Sequence, residues 1–226
     1  MLEIWKRPFI EFADDNTFVN RKYWKKLLPE LAKRKIRWFA QADISMAKDE
    51  ELLDMLRKSG CVQVLIGLES PNEEDLDGVE LRSNWKKKQV AHYRDGVRFI
   101  QSHGIRVTGC FIVGLDTQGP DIFDSIYNFV EDTELFEVQL TVLTPFPGTP
   151  LHDRLKRENR LIGNGSWEKY TLYDVNYTPK TMTPAQLMDG FLDLSVKLYS
   201  DEFTNWRRKS FKKYWRAGLR RDLANA

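Results

Sequence analysis

Cysteine and histidine are scarce in this chain of 226 residues: Cys61 and Cys110 are the only cysteines, and His92, His103 and His152 the only histidines. Both cysteines sit inside apolar runs of strand character, which predicts buried free thiols rather than a disulfide or a metal site. The histidines are scattered without ligand spacing, so nothing in the chain could hold zinc or an iron–sulfur cluster unaided. No apolar run approaches the ~18 residues of a membrane span. No positively charged start leads into an apolar stretch, so a signal peptide is not expected and the cytoplasm is the expected setting. The chain also lacks internal repeats and low-complexity tracts, which excludes a repeat architecture.

What is present is an ordinary globular composition, 42% hydrophobic and 30% charged, enough to bury one domain's core with an extension. Apolar runs of strand length alternate with segments of helical period. The runs are residues 8–12, 36–40, 62–68, 105–113 and 138–144. A helix opened by Asn20 follows the first, with Pro29 expected to kink or split it. Another covers about 49–58 and stops at Gly60. A longer one carries Val90, Tyr93, Val97 and Ile100 on one face and stops at Gly104. A fourth begins near Asp121 and is expected to bury Phe123, Ile126, Tyr127 and Val130. The apolar runs are continuous rather than alternating, which predicts strands covered on both faces. Helical crossovers between them predict parallel pairing, in either a β/α barrel or a doubly wound sheet.

The pattern changes after Pro150. A short helical piece near 151–159 and an irregular aromatic stretch lead to Thr183-Pro184, an N-cap followed by proline at the first helical position. That helix carries Leu187, Phe191, Leu194 and Leu198 along one side. The expected division is therefore residues 1–150 and 151–226.

Chemistry gathers where the strands end. Asp14 and Asp15 follow the first run, Gln41 and Asp43 the second, Glu69 and Ser70 the third. Gly114, Leu115 and Asp116 follow the fourth, and Pro145-Phe146-Pro147-Gly148 the fifth. Parallel strands share one C-terminal edge, and small-molecule pockets are assembled there from several loops. Singly, each residue has a plainer reading: an Asp after a strand caps a helix, a Gly makes a turn, and Phe146 packs in a core.

As a set, these segments resemble the radical S-adenosylmethionine (radical SAM) superfamily, in its cobalamin-binding type. Phe12-Ala13-Asp14-Asp15-Asn16-Thr17-Phe18 is similar to the segment ending the family's second barrel strand, and Trp38-Phe39-Ala40-Gln41-Ala42-Asp43 to the third strand. Gly67-Leu68-Glu69-Ser70 resembles the end of the fourth, which in the family contacts the ribose and methionine parts of SAM. Gly109-Cys110-Phe111-Ile112-Val113-Gly114-Leu115 resembles the fifth-strand motif that packs on adenine. Pro145-Phe146-Pro147-Gly148-Thr149-Pro150 resembles the sixth. Pro179-Lys180-Thr181-Met182-Thr183-Pro184, with Leu198-Tyr199-Ser200, looks like the C-terminal extension of a hopanoid methylase-like subgroup.

The resemblance implies an α/β fold, a partial TIM-like six-stranded radical SAM barrel comprising strands two to six, with a helical C-terminal extension. It implies SAM as cofactor and a cofactor-binding set of Asp14, Asp15, Gln41, Asp43, Glu69, Ser70, Gly114, Leu115, Asp116 and Phe146. Glu69 would accept hydrogen bonds from ribose hydroxyls or an ammonium group, and Asp14 or Asp15 the methionine amine. Gly114 would let adenine lie against the backbone. The family also uses a 4Fe–4S cluster on a CxxxCxxC motif to split SAM to a 5′-deoxyadenosyl radical. That motif and the cobalamin domain are not in this sequence. The expectation is accordingly the SAM-binding portion of a truncated or split enzyme whose cluster ligands come from a missing segment or chain. The alternative is a cluster-free binding or scaffold module. Gly114-Leu115-Asp116-Thr117-Gln118 departs from the commoner Gly-[Leu/Phe]-Pro-Gly-Glu of the family. The substrate is expected to be a small or lipid-like molecule.

Net charge is +2, unevenly placed: from Phe203 onward eight basic residues face one acidic residue, a local charge of +7 that leaves −5 for residues 1–202. Arg207, Arg208, Lys209, Lys212, Lys213, Arg216, Arg220 and Arg221 interleave with Trp206, Phe211, Tyr214, Trp215 and Leu219. This tail reads either as a helix docking its aromatics on the barrel or as a peripheral membrane contact through a basic face. Nucleic acid is not an expected partner, because no binding motif accompanies the charge. Five parallel strands leave one edge of the first strand open, which predicts self-association.

Overall fold

The structure, a computed structural model, describes residues 8–80, 83–163 and 166–224, the side chains of the last four excepted. Residues 1–7 and the Arg221 side chain of the basic tail lie outside the described residues.

Five strands form one sheet: β1 (Phe9–Phe12), β2 (Arg37–Ala42), β3 (Cys61–Glu69), β4 (Arg106–Val113) and β5 (Glu137–Val142). Every neighbouring pair is parallel, and the spatial order is the chain order, β1-β2-β3-β4-β5. A doubly wound sheet reverses strand order at a switch point. This sheet does not, and right-handed crossovers then place every connecting helix on one face. The architecture is that of an α/β barrel wall.

Burial follows from that topology. In β2 to β5, one row of side chains, including Trp38, Ala40, Val64, Ile66, Val107, Phe111, Val138 and Leu140, is buried. The alternate row is half-buried and largely polar: Gln41, Gln63, Cys110, Gln139 and Thr141 belong to it. Cover on both strand faces, expected from the unbroken apolar runs, is therefore not what the structure shows. The helices cover only the convex face, and the concave one carries polar and small residues together with Phe39, Leu65 and Ile112.

Helices fill the four crossovers: α1 (Arg21–Arg34), α2 (Glu50–Lys58), the pair α3 (Trp85–Gln89) and α4 (Tyr93–Ser102), and α5 (Ile122–Asp132). Local signals set their ends. Asn20 accepts from the Tyr23 amide to start α1, and Asp49 from the Leu52 amide to start α2, each satisfying an otherwise orphaned N–H. Gly60 adopts φ +96° where the chain leaves α2. Pro29 does not split α1, which runs through it as a single helix; Pro29 lies on the exposed face, where the carbonyl it leaves unpaired can be hydrated. The helix expected around Val90 is interrupted there by a 3-10 turn, Val90–His92.

The β1–α1–β2 corner is held by aromatic packing. Trp24 stacks on Trp38 at 6.0 Å, and Phe12 meets both rings edge-on at 5.1 and 5.2 Å. Each such pair contributes about 0.5–1.5 kcal/mol beyond burial. The buried Trp38 Nε1 donates to the Ser59 carbonyl at 3.0 Å.

Beyond β5 come α6 (Pro150–Arg157), α7 (Pro184–Tyr199) and α8 (Asp201–Ala224). Thr183 and Gln186 form a complete capping box at the start of α7, with Pro184 in its first turn. Leu187, Phe191, Leu194 and Leu198 are buried, as their spacing predicts. α8 docks with Arg207, Ser210 and Phe211 buried. Its tail is thus a packed helix, with Trp206 and Trp215 left partly exposed.

The extension also covers the outer edge of β5. Leu172 accepts from the Val142 amide at 2.7 Å. The Tyr199 hydroxyl accepts from the Leu140 amide and donates to the Val138 carbonyl. Arg207 donates to the Phe136 carbonyl. β1, by contrast, is paired on one side only among the described residues, so the expected open edge is present.

Candidate functional site

The five strand ends share one rim, and their loops are tied to one another. After β1, the Thr17 amide donates to the Gln41 carbonyl at 3.0 Å, and Asn16 Nδ2 donates to Asp43 Oδ2 at 2.6 Å. Asp43 also caps the turn after β2 by accepting from the Ser45 amide at 2.7 Å. Asp14 and Asp15 are exposed at this corner, and Gln41 is half-buried on the concave face.

The end of β3 is the most constrained point of the rim. The ladder to β4 shifts register between Gly67 and Glu69. Glu69 takes φ +64°, a left-handed conformation that costs a residue with a Cβ about 1–2 kcal/mol. The Ser70 amide closes the turn onto the Leu68 carbonyl at 2.8 Å. A side chain at position 67 would meet Glu69 Oε1 at 2.5 Å, so the glycine is what allows that carboxylate to lie back over the strand. There it forms an ion pair with Lys86 of α3. Cys110 of β4 is close enough to register both charges: burial pushes its thiol up to about 12, Glu69 adds to this, and Lys86 opposes it. Glu69 thus sits over β3 and β4, mostly shielded and charge-paired.

Beneath this corner lies a polar hub. Asp75, buried, accepts from Ser70 Oγ at 2.5 Å, Asn72 Nδ2 at 3.3 Å, Thr117 Oγ1 at 2.9 Å and Gln118 Nε2 at 3.5 Å. Gln118 Oε1 accepts from the amides of Gly114 and Leu115 at 2.7 and 3.0 Å. The departure noted at residues 116–118 therefore has a structural counterpart: Gln118 organises the loop after β4 and joins it to the loop after β3. Ser70 is buried inside this network, and Leu115 is buried beside it.

Gly114 takes φ +98°. The direction in which a Cβ would project from it is filled by the Tyr177 hydroxyl and by Leu187. That hydroxyl donates to the Gly114 carbonyl at 2.5 Å, and burial pushes its pKa up. Asp116 is engaged by three cations, Arg154 at 2.7 Å, Arg160 at 2.8 Å and Lys180 at 3.3 Å. Burial pulls its pKa up, but the Arg160 hydrogen bond and the charge of Arg154 outweigh this and hold it below the ordinary carboxylate range. Phe146 is partly exposed on the β5 loop, its ring centroid 6.2 Å from that of Tyr170. A cavity of about 360 Å³ opens among these loops, lined by Asp75, Leu115, Asp116, Thr117, Leu143 and Arg154 among others.

Residues 4–130 match the family model of the radical SAM superfamily. The chain belongs to the radical SAM superfamily. Residues 149–222 match a second model, a domain of unknown function (DUF4070). The chain is 30% identical over 194 residues to the bacteriochlorophyllide d C-12(1)-methyltransferase of Chlorobaculum tepidum, covering 86% of this chain and 41% of that protein. It is 32% identical over 174 residues to the hopanoid C-2 methylase of Rhodopseudomonas palustris, covering 74% of this chain and 32% of that one. The chain therefore spans between about a third and two fifths of these relatives. Among solved structures it is similar to the radical SAM methyltransferase TsrM from Kitasatospora setae, with cobalamin and a 4Fe–4S cluster bound. That match has a TM-score of 0.58 and 18% identity over 84% of this chain and 39% of that one. Coproporphyrinogen III oxidase from Escherichia coli matches at a TM-score of 0.55 and 15% identity, over 84% and 39%. Both support the barrel fold.

Radical SAM proteins use SAM and a 4Fe–4S cluster, and the donors present here do not fit the cluster. Cys61 is buried at the start of β3 with its thiol pushed up by burial, and Cys110 lies under Glu69. No group of three or more Cys, His, Asp or Glu side chains suited to a metal ion occurs among the described residues. The sequence missed Lys86, Asp75 and Tyr177. Each acts through a partner distant in the chain, and only the unusual residues at 116–118 pointed toward that network.

Proposed function

We propose that this chain is the SAM-binding portion of a radical SAM enzyme, with Glu69 as the principal polar contact to the cofactor. The carrying observation is the strained turn at the end of β3. It holds a carboxylate over a glycine, on the concave side of the rim, beside a lysine. A carboxylate so placed accepts two hydroxyl donors of a ribose or an ammonium group. Lys86, released from it, offers a cation to the α-carboxylate of SAM. Asp14 and Asp15, exposed on the loop after β1, two strands along the rim, would take the α-ammonium, and Gln41 of the intervening β2 would line the floor. The network of Ser70, Asp75 and Gln118 holds the adjoining loops and contributes rigidity rather than contact. Asp116 locks the rim to the extension.

The relatives' names support methyl transfer as the overall reaction, with a small or lipid-like substrate, and the resemblance of the strand-end segments to the cobalamin-binding type supports cobalamin as a second cofactor. The cluster that reductive cleavage of SAM requires must be ligated by residues other than those of this sequence. No step through it is assigned to this chain.

Isothermal titration of SAM into the chain tests the assignment. Loss of a charge-assisted hydrogen bond costs about 1.5–3 kcal/mol, so Glu69→Gln should weaken SAM binding by about ten- to a hundredfold with the circular dichroism unchanged. Failure of the parent chain to bind SAM, or equal binding by the variant, would refute it.

A further inference from the structure

In the loop between α6 and α7, polar groups bond among themselves while aromatic rings face solvent. Its feet are tied together. Leu161 and Tyr177 form an antiparallel bridge, the Ile162 amide donates to the Asn176 carbonyl at 2.8 Å, and the Thr178 amide to the Arg160 carbonyl at 2.7 Å. Within the loop, the buried Asn176 donates through Nδ2 to the Lys169 carbonyl at 3.4 Å. Thr171 Oγ1 donates to Asp174 Oδ2 at 2.7 Å and accepts from the Tyr173 amide at 3.1 Å. The Leu172 carbonyl accepts from the Val142 amide at the end of β5, which fixes the loop against the rim. A closed loop bonded in this way is a built surface element rather than a slack connection.

The rings it carries are left in water. Trp167 is 69% exposed, Tyr173 54%, and Phe146 of the adjoining β5 loop 38%. Tyr170 contacts both Phe146 and Trp167, with centroids 6.2 and 5.7 Å away and ring planes inclined at 37° and 48°. In the buried corner at Trp24 the rings close on one another edge-on or stacked; here they are tilted and loosely spaced. Tyr173 lines a cavity of about 310 Å³ on the concave face, whose floor carries Phe39 and Leu65 beside the amides of Gln63 and Gln139. Aromatic surface therefore flanks the concave cleft both at its rim and along β5, on the same face as Glu69. Contiguous exposed aromatics mark a recognition surface, and rigid rings on a fixed loop supply contact area at a low entropic cost. Tilted rings in a row form a shallow cup wider than one ring, which suits a fused-ring body, and the floor amides suit polar groups at its edge.

We propose that this loop is the substrate-recognition element of the rim, and that it holds a fused-ring, largely apolar small molecule against Phe146, Trp167 and Tyr170. This assignment rests on the reading of the rim as the reacting end of the barrel. Binding to the rings is measured without SAM, so the two readings fail separately.

The probe is 1-pyrenemethanol, a neutral fused-ring molecule, titrated against the full chain by its emission anisotropy. It should bind saturably and more tightly than monomeric octyl glucoside, whose apolar part is a flexible chain. Trp167→Ala with Tyr170→Ala should weaken it by at least about tenfold with the circular dichroism unchanged. Trp167→Phe with Tyr170→Phe keeps two rings on the loop and should stay within about threefold of the parent. Tyr23→Ala with Trp206→Ala removes the same two ring types from exposed positions of α1 and α8 and should stay within about twofold. Calorimetric titration of SAM should give the same affinity for the parent and the Trp167/Tyr170 alanine variant; a loss would put the rings in the cofactor site and overturn the proposal. If the parent binds no SAM, the cofactor reading fails and the pyrenemethanol titrations still decide this one. The proposal is also overturned if pyrenemethanol does not saturate, if octyl glucoside binds as tightly, if the phenylalanine variant binds as poorly as the alanine one, or if the two alanine variants lose binding equally. Co-sedimentation with phosphatidylcholine vesicles that the Trp167/Tyr170 alanine variant abolishes would assign the rings to a bilayer and overturn it too.

Discussion

Replacing Gly114 by alanine would test why the loop after β4 needs a glycine. Two independent penalties apply. The φ of +98° is outside the range favoured by a residue with a Cβ, which costs about 1–2 kcal/mol. The new methyl would also run into the Tyr177 hydroxyl and approach Leu187 Cδ2 at 2.9 Å, an overpacking error of about 1–3 kcal/mol. Moving Tyr177 away further sacrifices its hydrogen bond to the Gly114 carbonyl, worth about 1 kcal/mol. Gly114→Ala should therefore destabilise the chain by about 3–6 kcal/mol, a large share of the ~5–15 kcal/mol typical of a domain. Tyr177→Phe alone should cost about 1–3 kcal/mol by leaving that carbonyl unpaired. In the double variant no hydroxyl remains for the methyl to strike. The two losses should then fall short of additivity by about 1–3 kcal/mol. Urea unfolding followed by circular dichroism supplies all four corners of the cycle. A cost for Gly114→Ala below about 1 kcal/mol, or strict additivity, would show that Tyr177 is not what the glycine accommodates.

Three further outcomes follow from the packing around the rim. Asp116 has its pKa depressed in the folded chain, so its contribution is complete above the ordinary carboxylate value of about 4 and is lost as pH falls through the lower folded value. Acid titration should expose residues 160–180 to limited proteolysis, and Asp116→Asn should expose them at neutral pH. Asp75→Ala would remove the acceptor shared by Ser70, Asn72, Thr117 and Gln118, of which Ser70 and Gln118 are buried, and should lower stability by about 1–3 kcal/mol in the same urea assay; a loss under ~1 kcal/mol would mean that the hub is dispensable. Gly190 lets α7 approach α5 so closely that a Cβ would enter the Phe123 ring. Gly190→Ala should cost about 1–3 kcal/mol, seen as a lower unfolding midpoint, whereas a neutral result would mean that Phe123 moves aside freely.

The fold was legible because its signals are local. Val64, Ile66, Val107 and Phe111 belong to apolar runs bounded by Gly60 and Gly104, and the Thr183-Pro184 start of α7 announces itself within four residues. The candidate site was legible only as a set of strand ends. Glu69 stands out in its motif, but nothing in the sequence says that it bends back over Gly67 or that Lys86 lies against it. Gly114 was read as room for an adenine ring, whereas the space its missing side chain leaves is taken by Tyr177, 63 residues later in the chain. Asp116 was read as a contact to cofactor, and the structure surrounds it with Arg154, Arg160 and Lys180. Pairings of this kind depend on where the extension docks, and docking is set by shape and burial rather than by any short motif.

That docking also determines how the rim can behave. The extension holds the loop after β4 at Gly114 through Tyr177, at Gln118 through Thr181 and at Asp116 through its cations. It closes the outer edge of β5 through Leu172, Tyr199 and Arg207. Although the sequence changes character after Pro150, these bonds make the last two strands and the extension one mechanical unit. At the other end of the sheet, the loop after β1 is held at its far end by Thr17, Asn16 and the buried Phe18 ring against Trp24 and Trp38, whereas the side chains of Asp14 and Asp15 are exposed. A ligand spanning the rim from Asp14 to Glu69 would therefore meet a preorganised wall on one side and an adjustable one on the other. The ordering cost of binding falls on the β1 side, where the contacts are ionic and long-reaching, and the geometric precision resides at Glu69, where the backbone strain is stored.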